Sequence, residues 1–274
     1  MATRQTLMAH AGIRWVIIGI IAITAIYKVN NPILGLLIFF LPFTFALLHS
    51  RIFFTLRHTL VIFAIIIGVS FVGEYLGVHT GKIFGDYYYN ADPKVNGFLV
   101  GGVPPLVTLS YVSMGYTCYI MARIVLAAYK KLTGWLLLAV PLLAAMFMVM
   151  WDLAFDPTSS VVGHLWLWPR GGAYFGEPFH NFTGWFMVTG TFFVIISVYL
   201  YFRAKSKDYI ARPSKLFLAE PLALFIANAV SIIIKEAYHN PTIIQQNMAL
   251  VALFGMGTII AVVGSRLVTQ PRPA

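Results

Sequence analysis

Eight stretches of this chain are long and oily enough to be read as membrane crossings, and no other feature narrows its possible folds as far. A helix that crosses the hydrocarbon core needs about 20 mostly apolar residues. Such runs lie near 13–28, 31–48, 59–78, 99–122, 133–151, 181–202, 216–234 and 243–265. Only 10% of residues are charged and 59% are hydrophobic, whereas a soluble domain carries roughly 25% charged residues. The first run is short and the fourth opens on "GGVPPL". Pro42, Pro104, Pro105, Pro141 and Pro221 fall in or near the runs, which bilayer helices tolerate when neighbours satisfy the freed backbone groups. The expected fold class is therefore all-α, a polytopic transmembrane helical bundle of about eight spans. No polar linker divides it and no fixed-period repeat is visible, so residues 1–274 are read as one integral-membrane domain.

Charge orients this layout. With eight spans, 14 of the 19 Lys and Arg residues fall on the side that holds both termini, which predicts cytoplasmic termini by the positive-inside bias. The net charge of +10 is thus explained by loop retention, without nucleic acid. No small-residue cleavage site follows the basic start "MATRQTLMAHAGIR", so no signal peptide is expected. The single cysteine, Cys118, excludes an internal disulfide. The carboxylates lean the other way. Glu74, Asp86, Asp92, Asp152, Asp156, Glu177 and Glu236 fall toward the non-cytoplasmic ends, and only Asp208 and Glu220 toward the cytoplasm. The two longest connections, about 79–98 and 152–180, lie on the carboxylate face and are rich in Gly, Tyr, Trp and Pro. Tyr87, Tyr88, Tyr89, Trp166 and Trp168 fit either an interfacial aromatic belt or a substrate wall.

Several of these acidic residues could carry chemistry. Glu74 ends an apolar run, where an ionisable group is costly and marks function by default. Asp152 and Asp156, in "WDLAFDP", share a face if the helix continues past Trp151; Pro157 disfavours helical geometry at Asp156, so Asp152 is the better helical candidate. Two nearby carboxylates cannot both ionise cheaply, and a carboxyl that keeps its proton in an apolar pocket is a general acid. Glu177, His180 and Asn181 precede the sixth run, where they either cap a helix or orient a water or a carboxyl. The seven histidines form no box for a membrane di-iron centre. No phosphate-binding glycine motif and no G-x-S-x-G motif is present. "DLAFD" is similar to an aspartate-rich motif of intramembrane prenyltransferases, but the companion motif is missing and the face is poorly basic.

The segments "GEYLGVHTGKIFGDYYY", "GVPPLVTLSYVSMGY", "MWDLAFDPTS" and "WLWPRGGAYFGEPFHNFTGW" occur in series. Together they resemble the integral-membrane carotenoid hydratases, the family of bisanhydrobacterioruberin hydratase and gamma-carotene 1'-hydratases, over roughly residues 60–200. That resemblance implies addition of water across the terminal C1=C2 double bond of an acyclic carotenoid end, giving a tertiary alcohol. It implies no cofactor, with substrates ranging from lycopene to bacterioruberin precursors. It also implies water and a lipophilic carotenoid drawn from the bilayer as partners, with other enzymes of the carotenoid pathway as candidate neighbours.

The acidic and aromatic residues fit this chemistry. Asp152 is the expected proton donor with Asp156 its partner; Glu74 and Glu177 are water base or hydrogen-bond support. Asp86, His180 and Asn181 are expected to bind substrate or water. Tyr87, Trp166, Trp168 and Tyr174 would face the cation, where cation–π contacts are worth about 2 kcal/mol or more when desolvated. Two alternatives remain: a membrane carotenoid or isoprenoid cyclase, which also begins by protonation, and a proton-coupled transporter built on Glu74 and Glu220.

Overall fold

The computed structural model describes residues 11–26, 32–210, 213–238 and 241–269. Its helices are α1 (Ala11–Ile26), α2 (Pro32–Phe53), α3 (Leu56–Thr80), a single turn α4 (Pro93–Asn96), α5 (Pro105–Val125), α6 (Leu136–Pro157), α7 (Phe179–Arg203), α8 (Lys215–Tyr238), α9 (Ile243–Val251) and α10 (Gly257–Thr269). A π-helical turn at Ala252–Met256 joins α9 to α10, and another at Thr158–Val162 extends α6. Long helical segments thus follow the eight apolar runs. Five of them, over Leu56–Thr80, Leu136–Val162, Phe179–Arg203, Lys215–Ile234 and Ile243–Thr269, are long and apolar enough to cross a membrane. The apolar parts of α1 and α2, Gly12–Ala22 and Phe39–Phe53, are shorter, and α5 is too polar.

The polarity of α5 has a packing cause. Every residue from Tyr111 to Ile124 is buried, because α2, α3, α6, α8 and α10 all pack against this helix. A helix enclosed by others needs no apolar face toward lipid, so Tyr, Ser, Thr, Cys and Arg are admissible along it. The outer helices do the reverse and present Leu60, Met146, Met187 and Phe202 outward.

Away from the two long connections, several ionisable groups inside the bundle are paired. Arg14 of α1 holds Glu220 of α8 through two hydrogen bonds of 2.6 and 3.0 Å. His49 of α2 bridges the Tyr116 hydroxyl (2.6 Å) and the Phe217 carbonyl (3.0 Å). Arg123, fully buried, sits among the rings of Phe53, Phe54, Tyr119 and Tyr209 at 5.4–5.9 Å, a cation–π cage.

At the other end the two connections zip together. Tyr88–Tyr89 (β1) pairs antiparallel with Trp166–Leu167 (β2), Tyr89 opposite Trp166. Asn90 and Asn96 extend the junction by donating to the carbonyls of His164 (3.1 Å) and Leu165 (2.6 Å). Two glycines let the first connection sink between helices: a Cβ at Gly184 would collide with the Ile83 carbonyl, and one at Gly77 with the Phe84 ring. Gly81, at φ 64°, ends α3 in the left-handed conformation and turns the chain back toward Tyr87.

Candidate active site

The end of α6 departs from the expectation that Pro157 would release Asp156 from the helix. Pro157 is helical (φ −59°, ψ −32°), and helical geometry continues through it to Val162. Proline has no N–H, so the Leu153 carbonyl four residues back loses its helical donor. The Tyr174 hydroxyl supplies the replacement at 2.9 Å. This corrects the role expected for Tyr174: it mends the helix and does not line the cavity described below. Tyr174→Phe strands the Leu153 carbonyl and should destabilise the folded protein by about 1–3 kcal/mol. Thermal unfolding in detergent checks this; an unchanged transition would remove Tyr174 from the helix.

With the helix intact, Asp152 and Asp156 stand one turn apart on the same face, both buried. The Asn181 side-chain amide donates to Asp156 at 2.5 Å and lies 3.5 Å from Asp152. Asn181 is free to do this because the backbone of Pro178, not a side chain, opens α7. Glu177, fully buried, lies within hydrogen-bonding reach of Asp156 and accepts from the Ser160 hydroxyl at 2.5 Å. Ser160 reaches it from the π-helical turn, a distortion frequent at functional sites. Glu177 lies outside the apolar spans. Burial pushes its carboxyl up to about 7, with Asp156 and Ser160 pulling it part of the way back. These residues form a compact acidic cluster.

Glu74 of α3 is organised differently. Its carboxyl accepts from three phenols: Tyr87, by a short hydrogen bond, Tyr89 at 2.9 Å and Tyr111 at 2.7 Å. Three donors around one carboxyl complement the acceptor-only carboxylate form. Burial, with Glu74 beside them, holds the Tyr87 and Tyr89 hydroxyls well above the ordinary phenol range, so both remain donors. The aromatic rings are themselves supported: Tyr87 packs on Trp168 (4.9 Å), Tyr89 on Trp166 (6.0 Å), and Tyr111 stacks on Trp185 (4.5 Å, 10°).

Both carboxyl groupings border one cavity of about 590 Å³, within the range of ordinary small-molecule sites. Glu74, Asp152, Asp156 and Asn181, with Lys94, Asn96, Ser110 and Ser159, supply its polar points; Tyr87, Tyr89, Tyr111, Trp151, Phe155, Trp166, Trp168 and Trp185 supply most of the ring surface. Among the described residues no group of three or more His, Cys, Asp or Glu is arranged to hold a metal ion.

A family model described as carotenoid biosynthesis protein matches residues 27–262, a stretch that includes every residue of this cavity. The chain belongs to the carotenoid biosynthesis protein family. Comparison with curated proteins and with solved structures returns no match. Among the described residues five helices are long and apolar enough to cross a bilayer, as a membrane protein requires.

Of the residues expected at the site, Glu74, Tyr87, Asp152, Asp156, Trp166, Trp168 and Asn181 border the cavity, and Glu177 backs Asp156 from behind the wall. Asp86 and His180 lie elsewhere. Asp86 is exposed and pairs with Arg170 at 3.3 Å; with His180 they border a separate shallow surface hollow. His180 is adjacent to Asn181 in sequence, but neighbouring residues on a helix point about 100° apart, so one faces the acids and the other faces out. Tyr111, Trp185, Trp151 and Ser160 belong to the site and carry no local signal. Tyr111 lies 37 residues from Glu74 in sequence, in a run that reads as an ordinary span.

Proposed function

We propose that the protein hydrates the terminal double bond of an acyclic carotenoid end. The observation that carries this reading is the two-part polar lining of an aromatic cavity. One part is a cluster of buried carboxyl groups, the other a carboxyl ringed by three hydroxyl donors. Asp152 is assigned as proton donor because Asn181 approaches it only to 3.5 Å, whereas Asp156 is tied to Asn181 and Glu177. The alkene π pair takes the Asp152 proton at C2 and leaves a tertiary cation at C1. The faces of Trp168, Trp166 and Tyr87 would stabilise that cation. A water held by Glu74 forms the C1–O bond and gives its second proton to the Glu74 carboxylate. That proton returns to Asp152 through the pool shared by Asp156 and Glu177. The sum is one alkene plus one water, with no redox change and no cofactor required. The layout we propose has eight crossings, with α1, α2 and the enclosed α5 completing the five apolar ones, and both termini cytoplasmic.

Cyclisation begins with the same protonation but ends by proton loss from carbon. The hydroxyl-ringed Glu74 favours hydration, because it offers a water a polar seat that a cyclase pocket does not need. The transporter alternative is disfavoured by Glu220, whose charge Arg14 neutralises. Expression in a lycopene-accumulating host, with mass spectrometry of the pigments, tests the reading. Hydration adds one water to the mass; unchanged mass with altered absorption would instead support cyclisation.

The proton pool has a pH signature. Glu177 holds its proton below about 7 and loses it above. The share of the pool that Glu177 carries is therefore filled below that value and emptied above it. Conversion by the reconstituted protein should fall as pH rises through neutrality, and Glu177→Gln should remove that falling limb. Initial rates across neutral pH check this; a limb that persists in the variant assigns the titration elsewhere.

A further inference from the structure

The two helices that flank the cavity from α2 and α5 are tightly joined at one end. There His49 meets Tyr116 at 2.6 Å and Arg123 lies over Phe53. Nearer their N-termini the same helices meet the cavity instead. Leu36 and Phe39 of α2 and Leu106 and Ser110 of α5 all line it. Leu36 is also 44% exposed, so among the described residues this wall of the cavity is at the same time outer surface. Phe40, one turn along α2 from Leu36, is exposed as well, while the exposed Pro93, Lys94 and Gly97 border the cavity on the side of the first connection and the carboxyl groups lie within.

Size decides what such an opening is for. A linear carotenoid is about as long as the hydrocarbon core is thick, ~30 Å. Along α5 the lining runs from Pro104 to Tyr111 and along α6 from Trp151 to Ser159, about 12 Å of depth at 1.5 Å per residue, so along the bundle the cavity takes the end of such a chain, not its length. The remainder must lie outside, and an extended polyene outside the protein is stable only against lipid.

We propose that the gap between the N-terminal halves of α2 and α5 is a lateral portal through which the unreacted polyene chain extends into the bilayer while its end is seated at the acids. The proposal rests on the hydration reading for the identity of the end group, and it adds a consequence. A substrate with two reactive ends is processed in two separate visits, so the singly hydrated product leaves the protein between them.

The test separates binding from chemistry. Ser110→Cys, and independently Leu36→Cys, are labelled with a membrane-soluble maleimide in liposomes; the native Cys118 is fully buried. Lycopene at ten times its dissociation constant should slow labelling about ten-fold by occupancy. Ser110→Trp should slow conversion of full-length lycopene at least ten-fold more than that of a short acyclic isoprenoid with the same terminal double bond. Protection by lycopene with no water adduct from the unaltered protein would support the portal and overturn hydration. A water adduct without protection at either cysteine would overturn the portal. Equal loss of both substrates in Ser110→Trp would also count against it.

Discussion

Asp152→Asn is expected to slow formation of hydrated carotenoid by about 100- to 10,000-fold, the usual contribution of a positioned general acid. Asparagine keeps the size and most of the polarity of the side chain, so the Asn181 contact and the helix end should persist. The protein level in membranes should therefore match that of the unaltered protein. Pigment extracts from a lycopene-producing host, analysed by mass, provide the measurement. Normal amounts of the water adduct would remove Asp152 as donor and move the role to Asp156, whose own conversion to Asn would then become the damaging change.

The second large effect concerns Glu74. Glu74→Gln replaces an acceptor of three phenolic hydrogen bonds by an amide that is itself half donor. The negative charge facing the cation is lost, and with it the group that takes the proton from water. Loss of one preorganised electrostatic partner costs about 100- to 1,000-fold in turnover. The products should change as well as the rate. A cation with no oriented water discards a proton from carbon, so isomers of unchanged mass should rise relative to the water adduct. A variant that is merely slower, with the product ratio unaltered, would reduce Glu74 to a structural anchor for Tyr87, Tyr89 and Tyr111.

The helices are legible in the sequence because hydropathy acts over about twenty residues at a time. Long helical segments follow the eight apolar runs, while among the described residues five meet the polarity and length needed for a crossing. The misfit falls on α5, where enclosure by five other helices replaces the lipid that hydropathy reasoning assumes. Asp152, Asp156 and Glu74 are legible because an ionisable group at the end of an oily run is costly to keep without a use. Asp156 reads as leaving the helix because the rule for residues before proline is local. Tyr174, 21 residues beyond Leu153, keeps the helix going by supplying the donor that the Leu153 carbonyl lacks. β1 and β2 are two residues each, too short to show a period. Asp86 and His180 adjoin Tyr87 and Asn181 in sequence, but adjacency says nothing of direction on a turn or a helix.

Enclosure of α5 also bears on how the protein is made. Alone in a membrane, a helix carrying Arg123 near one end, with tyrosine, serine and threonine along its length, partitions poorly. The aromatic cage that shelters Arg123 includes Tyr209, which is synthesised well over half of the chain later than α1 and long after α5 itself. Insertion of α5 is thus a debt incurred early in translation and settled late. Until α8 and α10 are made, α5 lacks two of the helices that enclose it in the folded chain. Truncation before Tyr209 leaves Arg123 without one wall of its cage, so a fault in the C-terminal third should be felt first at α5.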